Sequence, residues 1–113
     1  MEWISLKTED QFLNILEKSF ETPQLIYKHS IACGVSSLVK QRLEKYTPPV
    51  GVDFYFLDIL RYRSVSNKIA DELNVHHESP QVILIKDARC VYEESHLGIT
   101  MKDIRGIMLM PEN

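Results

Sequence analysis

With 113 residues, 44% of them hydrophobic and 26% charged, the chain has the composition of one globular domain, expected over residues 1–113. Its formal net charge of −3, without a block of like charges, argues against a nucleic-acid partner, which would call for clustered Lys and Arg. No apolar run nears the roughly 20 residues that span a bilayer. The opening Met1-Glu2-Trp3-Ile4-Ser5-Leu6-Lys7 is too short and polar for a secretory leader, and two cysteines are too few for a disulfide framework. The expectation is a cytoplasmic protein in a reducing compartment, without a membrane partner.

Trp3-Ile4 can form an edge strand. Thr8-Glu9-Asp10-Gln11 has capping-box form, and Phe12, Ile15, Leu16 and Phe20 recur behind it at helical spacing, which predicts a helix over residues 9–19. Pro23 closes that region, and Leu25-Ile26-Tyr27 reads as a short strand. A second helix starts at Cys33 or Gly34, with Val35, Leu38, Val39, Leu43 and Tyr46 as its apolar stripe, and Thr47-Pro48-Pro49-Val50-Gly51 breaks it. Residues 52–57 are rich in β-branched and aromatic side chains and form a strand. A helix over 64–73 follows, with Val65, Ile69 and Leu73 four apart. Val82-Ile83-Leu84-Ile85 is a continuous apolar run, as in a strand buried on both faces. Lys86-Asp87-Ala88-Arg89 is a hairpin turn, Cys90-Val91-Tyr92-Glu93 returns, and Thr100 and Asp103 cap a last helix carrying Met101, Ile104 and Met108. This alternation predicts an α/β fold. The βαβ unit feeding a hairpin and final helix narrows it to a single thioredoxin-like domain, a central mixed sheet flanked by helices.

Cys33 then stands where a strand hands over to a helix N-terminus. The first amides of that helix lack intrahelical partners, and the helix dipole places partial positive charge there, so a thiolate is favoured over a thiol. Ser36, three residues on, can donate to the sulfur or cap the turn, and Lys28 and His29 can add positive potential. The alternative is a cysteine serving only as a small buried side chain.

Glu78-Ser79-Pro80-Gln81 precedes the buried strand, and a proline there can simply open it, since pairing has not begun. In a thioredoxin-like fold this loop faces the active-site helix and its proline is cis. The backbone of Ser79 would then offer an N–H and a C=O to an extended thiol ligand. The hairpin puts Cys90 at its turn end, about five residues from Pro80, or on the order of 15 Å. That is too far for a Cys33–Cys90 bridge without backbone movement, and makes Cys90 structural. The same geometry returns Ser95 and His96 to the Pro80 end as candidate site neighbours. Arg61 and Arg63, after a strand end, can meet ligand carboxylates or be surface charge, and His76-His77 reads as a solvated loop.

Tyr27-Lys28-His29-Ser30, residues 75–86 (VHHESPQVILIK) and residues 91–99 (VYEESHLGI) together resemble the monothiol bacilliredoxin family, the YtxJ-type thioredoxin-fold proteins, over nearly the whole chain. The resemblance implies removal of bacillithiol, a low-molecular-weight thiol, from mixed disulfides on other proteins. Cys33 matches the family's active cysteine and Pro80 its cis-proline; with the readings above, Ser36 joins them as a catalytic candidate and Ser79, His29 and His96 are the substrate-binding candidates. It implies bacillithiol as co-substrate, no tightly bound cofactor or metal, and S-bacillithiolated proteins and small thiols as partners. The family usually carries Thr-Cys-Pro-Ile-Ser where this chain has Ala32-Cys33-Gly34-Val35-Ser36. Gly34 removes a residue preorganised for a first helical turn.

Two other readings stand beside it. Cys33-Gly34-Val35-Ser36 is similar to the Cys-Gly-Phe-Ser of monothiol glutaredoxins, which hold a [2Fe-2S] cluster between subunits. A thioredoxin fold can also persist as a redox-inactive binding module, in which case Cys33 would have an ordinary pKa. His29, His76, His77, His96 and Cys33 lack zinc-ligand spacing.

Overall fold

The switches of hydrophobic period translate into five strands and four helices among residues 1–110, which the computed structural model describes; the last three residues of the domain expected over 1–113 lie outside them. In chain order these are β1 (Ile4–Ser5), α1 (Glu9–Lys18), β2 (Gln24–His29), α2 (Gly34–Glu44), β3 (Asp53–Asp58), α3 (Arg63–Leu73), β4 (Gln81–Lys86), β5 (Arg89–Ser95) and α4 (Met101–Met108). A 3-10 turn at His96–Gly98, which the sequence reading did not anticipate, joins β5 to α4.

The sheet order is β1-β3-β2-β4-β5, with β2 parallel to β3 and antiparallel to β4. All of β2 and all but the last residue of β4 are buried, which explains their unbroken apolar runs: helices cover both faces. Alternation along each strand divides the core in two. Ile26, Leu57, Ile83 and Ile85 meet Phe12 and Ile15 of α1 and Val65 and Ile69 of α3. Leu25, Tyr27, Val82 and Leu84 meet Val39 and Leu43 of α2 and Met101 and Ile104 of α4.

Local chemistry sets the ends of these elements. Thr8 accepts from the Gln11 amide at 3.0 Å, but Gln11 Oε1 accepts from the Lys7 amide, one residue before the donor a reciprocal capping box would use. Thr100 accepts from the Asp103 amide in the same way. Asp87 and Ala88 both have positive φ, +53° and +59°, as a tight two-residue hairpin between right-twisted strands requires. Three apolar positions fall outside the stripes assigned to them. Phe20 lies beyond the end of α1 and is exposed. Leu38 sits to the side of the Val35-Val39-Leu43 row, and Tyr46 lies past the end of α2; both are exposed.

Because β4 runs against β2, its start lies beside the end of β2: Lys28 pairs with Gln81. The segment from His29 to Cys33 and the segment ending at Pro80 therefore emerge from adjacent strands at one end of the sheet.

Candidate active site

The β2–α2 connection turns on short backbone bonds. The Cys33 amide donates to Ser30 O at 3.1 Å, and the Ser36 amide donates to Cys33 O at 3.1 Å, so Cys33 occupies the N-cap of α2 with extended φ −117° and ψ 116°. Its side chain is partly exposed. The backbone amides of Ser36 and then Val35, with a smaller contribution from the Ser36 hydroxyl, hold the Cys33 thiol below its ordinary 9.0 against slight desolvation.

Ser36 is fully buried, and its hydroxyl accepts from the Ser30 amide at 3.3 Å, so one side chain binds the loop before Cys33 to the helix after it. Tyr27 braces the same turn from below: its hydroxyl donates to Ser36 O at 2.8 Å and lies 3.3 Å from His29 Nδ1. Burial, then the neighbouring Cys33, pushes the Tyr27 phenol far above its ordinary value, so it stays a donor. The sequence reading gave Tyr27 a place in a short strand and no role at the site. Its alternation with Leu25 on one face of β2 was the available signal.

His29 and Lys28 do not charge the site as expected. His29 is buried, 6% exposed, with its ring 4.9 Å from Phe56 and Tyr27 at 5.7 Å, and burial followed by Lys40 lowers its pKa. It lines a small recess with Ser37, Lys40, Gln41 and Glu44. Lys28 projects to the opposite face of the sheet, where Nζ lies 3.1 Å from His77 Nδ1. Neither contributes to the depression of the Cys33 thiol.

The Ser79–Pro80 peptide is cis and Pro80 is buried. Pro80 O accepts from the His96 amide at 3.0 Å, and His96 Nε2 lies 3.1 Å from Glu78 Oε2, so the segment before β4 is fastened to the turn after β5. Gln81, fully buried, bonds back to the loop: Nε2 donates to His76 O at 3.0 Å and Oε1 accepts from the Glu78 amide. The hairpin register sets Gln81 opposite Ser95 and Ile85 opposite Cys90. Ser95 and His96 thus lie at the Pro80 end of the hairpin and Cys90 at the far, turn end. Burial raises the Cys90 thiol, and its Sγ rests 3.5 Å from Tyr92 O. Arg61 lies over the Tyr62 ring at 5.6 Å.

With this geometry in view, the profile of the monothiol bacilliredoxin family (BrxC) matches residues 4–104. The chain belongs to that family. Bacilliredoxin membership agrees with the solved structures it resembles. A candidate oxidoreductase with a thioredoxin fold superposes with a TM-score of 0.81 at 28% identity, covering 93% of this chain and 92% of that one. Thioredoxin O2 of Arabidopsis thaliana, in its oxidised state, gives 0.65 at 25% identity over 94% and 90%. The thioredoxin of Malassezia sympodialis gives 0.72 at 19% over 95% and 89%, a likeness of fold alone. Family and fold support a thiol-oxidoreductase role. Among the described residues no helix is long and apolar enough to cross a membrane, and no three His, Cys, Asp or Glu side chains group as metal ligands.

Proposed function

We propose that this bacilliredoxin removes bacillithiol, or a closely similar small thiol, from mixed disulfides on other proteins by monothiol exchange at Cys33. The observation that carries the reading is Cys33 at the N-cap of α2 with its thiol held below the ordinary value by the first-turn amides, three residues before Ser36. A redox-inactive binding module would have no need of that depression.

The step balances with sulfur alone. The Cys33 thiolate attacks the bacillithiol sulfur of a modified protein; the protein–bacillithiol bond breaks, a Cys33–bacillithiol bond forms, and the protein thiolate leaves and takes up a proton. A second small thiol then attacks that same sulfur, releasing Cys33 as thiolate and giving the symmetrical small-thiol disulfide. Thiolate character at Cys33 speeds the first attack, and its low pKa makes it a good leaving group in the second. Ser36 cannot resolve a disulfide, and Cys90 sits at the other end of the hairpin, roughly 13 Å along β4 at about 3.3 Å per residue. In this reading Ser79 offers its backbone to the incoming disulfide, Pro80 shapes that loop, and His29 and His96 border the groove. S-bacillithiolated proteins and small thiols are the partners, bacillithiol the co-substrate, and the reducing cytoplasm the setting.

The test is mass spectrometry of the protein after incubation with a bacillithiolated substrate and no other reductant. One bacillithiol on Cys33 and an unmodified Cys90 are expected. A Cys33–Cys90 disulfide, or no transfer at all, would overturn the reading.

A further inference from the structure

Among the described residues Lys28 is the only lysine whose side chain is fully buried, 0% exposed on a central strand of the sheet. It belongs to β2 and lies on the α1/α3 face, as Ile26 does, between Leu57 of β3 and Gln81 of β4 in register. Among the described residues no carboxylate pairs with it. A buried charge without a counter-ion is costly and seldom kept. Its ammonium instead meets an uncharged acceptor, His77 Nδ1 at 3.1 Å, which Ser66 Oγ of α3 also approaches at 3.3 Å. Burial first, then Lys28 and Arg63, keeps His77 below its usual 6.5, against the opposing pull of Glu78. The ring is therefore neutral and its Nδ1 can accept.

His77 lies three residues before Pro80, in the loop that Gln81 holds from the strand and His96 holds from above. Lys28 supplies a third attachment from the neighbouring strand, the one that leads directly into Cys33. We propose that Lys28 is a positioning residue: through His77 it ties the loop carrying Ser79 and Pro80 to the strand carrying Cys33, and so fixes the groove in which the mixed disulfide docks. This rests on the thiol-exchange reading for its substrate, while the tether itself is a property of the loop.

Such a tether predicts a pattern that a packing role does not. Burial lowers the Lys28 ammonium from its ordinary 10.5 to about 8, so the folded state binds fewer protons there than the unfolded chain between those values. Stability attributable to Lys28 therefore rises as pH climbs from 8 to 10.5, and at pH 7 the charge weakens the fold. Lys28→Met keeps the chain length and removes the charge, so it should be at least as stable as wild type at pH 7. It should nevertheless raise KM for a bacillithiolated peptide by about tenfold, with kcat changed by less than about twofold, as expected for a lost charge-assisted hydrogen bond outside the reacting atoms. Iodoacetamide rates at Cys33 should follow the wild-type pH profile. His77→Ala should raise KM equally, the double variant should add little more, and His77→Asn, which retains an acceptor, should restore most of the loss. Amide hydrogen exchange of residues 76–81 should quicken in Lys28→Met while β3 stays protected.

An unchanged KM, additive effects of Lys28→Met and His77→Ala, or loop amides as protected as in wild type would each overturn the proposal. So would a Lys28→Met protein less stable than wild type at pH 7, with exchange quickened throughout. If wild type itself fails to turn over the peptide, the thiol-exchange reading fails, and the loop amides in Lys28→Met decide the tether alone.

Discussion

Cys33 and Cys90 are the same side chain in opposite electrostatic settings. Cys33 occupies the N-cap position of α2, where the Ser36 and Val35 amides lie near its sulfur, and its thiol is held below the ordinary value. Cys90 lies past the hairpin turn, packed against the Ile83–Ile85 side of the core, where burial raises its thiol. Both are partly accessible, so accessibility does not separate them. The difference is that backbone donors favour the anion at one position and apolar surroundings disfavour it at the other. The lower thiol pKa lies where a strand hands over to a helix.

The largest test of that contrast is Cys33→Ser. A serine hydroxyl neither ionises near neutral pH nor forms the mixed disulfide, so release of bacillithiol from a modified protein should fall to background, read as free small thiol over time. Retention of more than a small fraction of the wild-type rate would mean that Cys90 can act, and the contrast would collapse.

Next in size is Ser36→Ala. It removes the hydroxyl near Cys33 and leaves the Ser30 amide without its acceptor, while the Ser36 and Val35 amides remain. Iodoacetamide labelling of Cys33 at pH 7 should slow by about threefold, and the pH profile should move up towards that of an unperturbed thiol. The wild-type profile has a fixed sign. A lowered thiol pKa gives labelling that is already substantial below pH 8, whereas Cys90, shifted the other way, should label only at higher pH. Equal labelling of the two cysteines at pH 7 would contradict both directions at once.

Cys90→Ser should alter exchange by less than about twofold. Its cost should be in stability, on the order of 1 kcal/mol, because a hydroxyl replaces sulfur against apolar neighbours while keeping the Tyr92 carbonyl within reach. Urea unfolding measures the second part and bacillithiol release the first.

How far the sequence carried this comparison depends on the range of the interactions involved. The order of elements, the hairpin turn at Asp87-Ala88, the Thr100 cap and the placing of Cys33 before α2 all follow from periods and turn chemistry within a few residues. The ends of the hairpin followed as well, since the tight turn at Asp87-Ala88 sends Cys90 to the turn and His96 to Pro80, whereas the shift in register between Leu84 and Ile85 has no mark in the continuous apolar run. What escaped was decided by which face a strand residue takes and what crosses to meet it. Lys28 and His29 are neighbours in sequence, and both were read as charging Cys33. Alternation along β2 sends Lys28 to His77, 49 residues away, and His29 to Phe56 on the other side. His76 and His77 are exposed, as the solvated-loop reading has them, but nothing local marks His77 Nδ1 as the acceptor for a buried ammonium. The Tyr27 hydroxyl on Ser36 O likewise needs the sheet and α2 placed before it becomes visible.

The smallest effect is expected at Gly34, where the chain departs from the proline usual in its family, and it refines the account of Cys33. The backbone is already prepared for that proline. Cys33 has φ −117° and ψ 116°, close to the extended conformation that a residue preceding proline prefers. Gly34 is the first residue of α2, where no intrahelical partner awaits its amide, and a Cβ added there meets nothing within 4 Å. Gly34→Pro should therefore be accepted without rearrangement. By reducing the freedom of the unfolded chain it should stabilise the protein by about 0.5 kcal/mol, read as a higher urea midpoint at unchanged slope. The Val35 and Ser36 amides follow Gly34 in the same first turn, whose backbone a proline at its first position leaves helical, so Cys33 labelling at pH 7 should stay within about twofold of wild type, with Cys90 as the internal reference. A destabilised variant would mean that the Gly34 amide or its backbone freedom serves the site. A large change in Cys33 labelling would mean that the depressed thiol depends on mobility of the first turn rather than on the fixed amides beneath it.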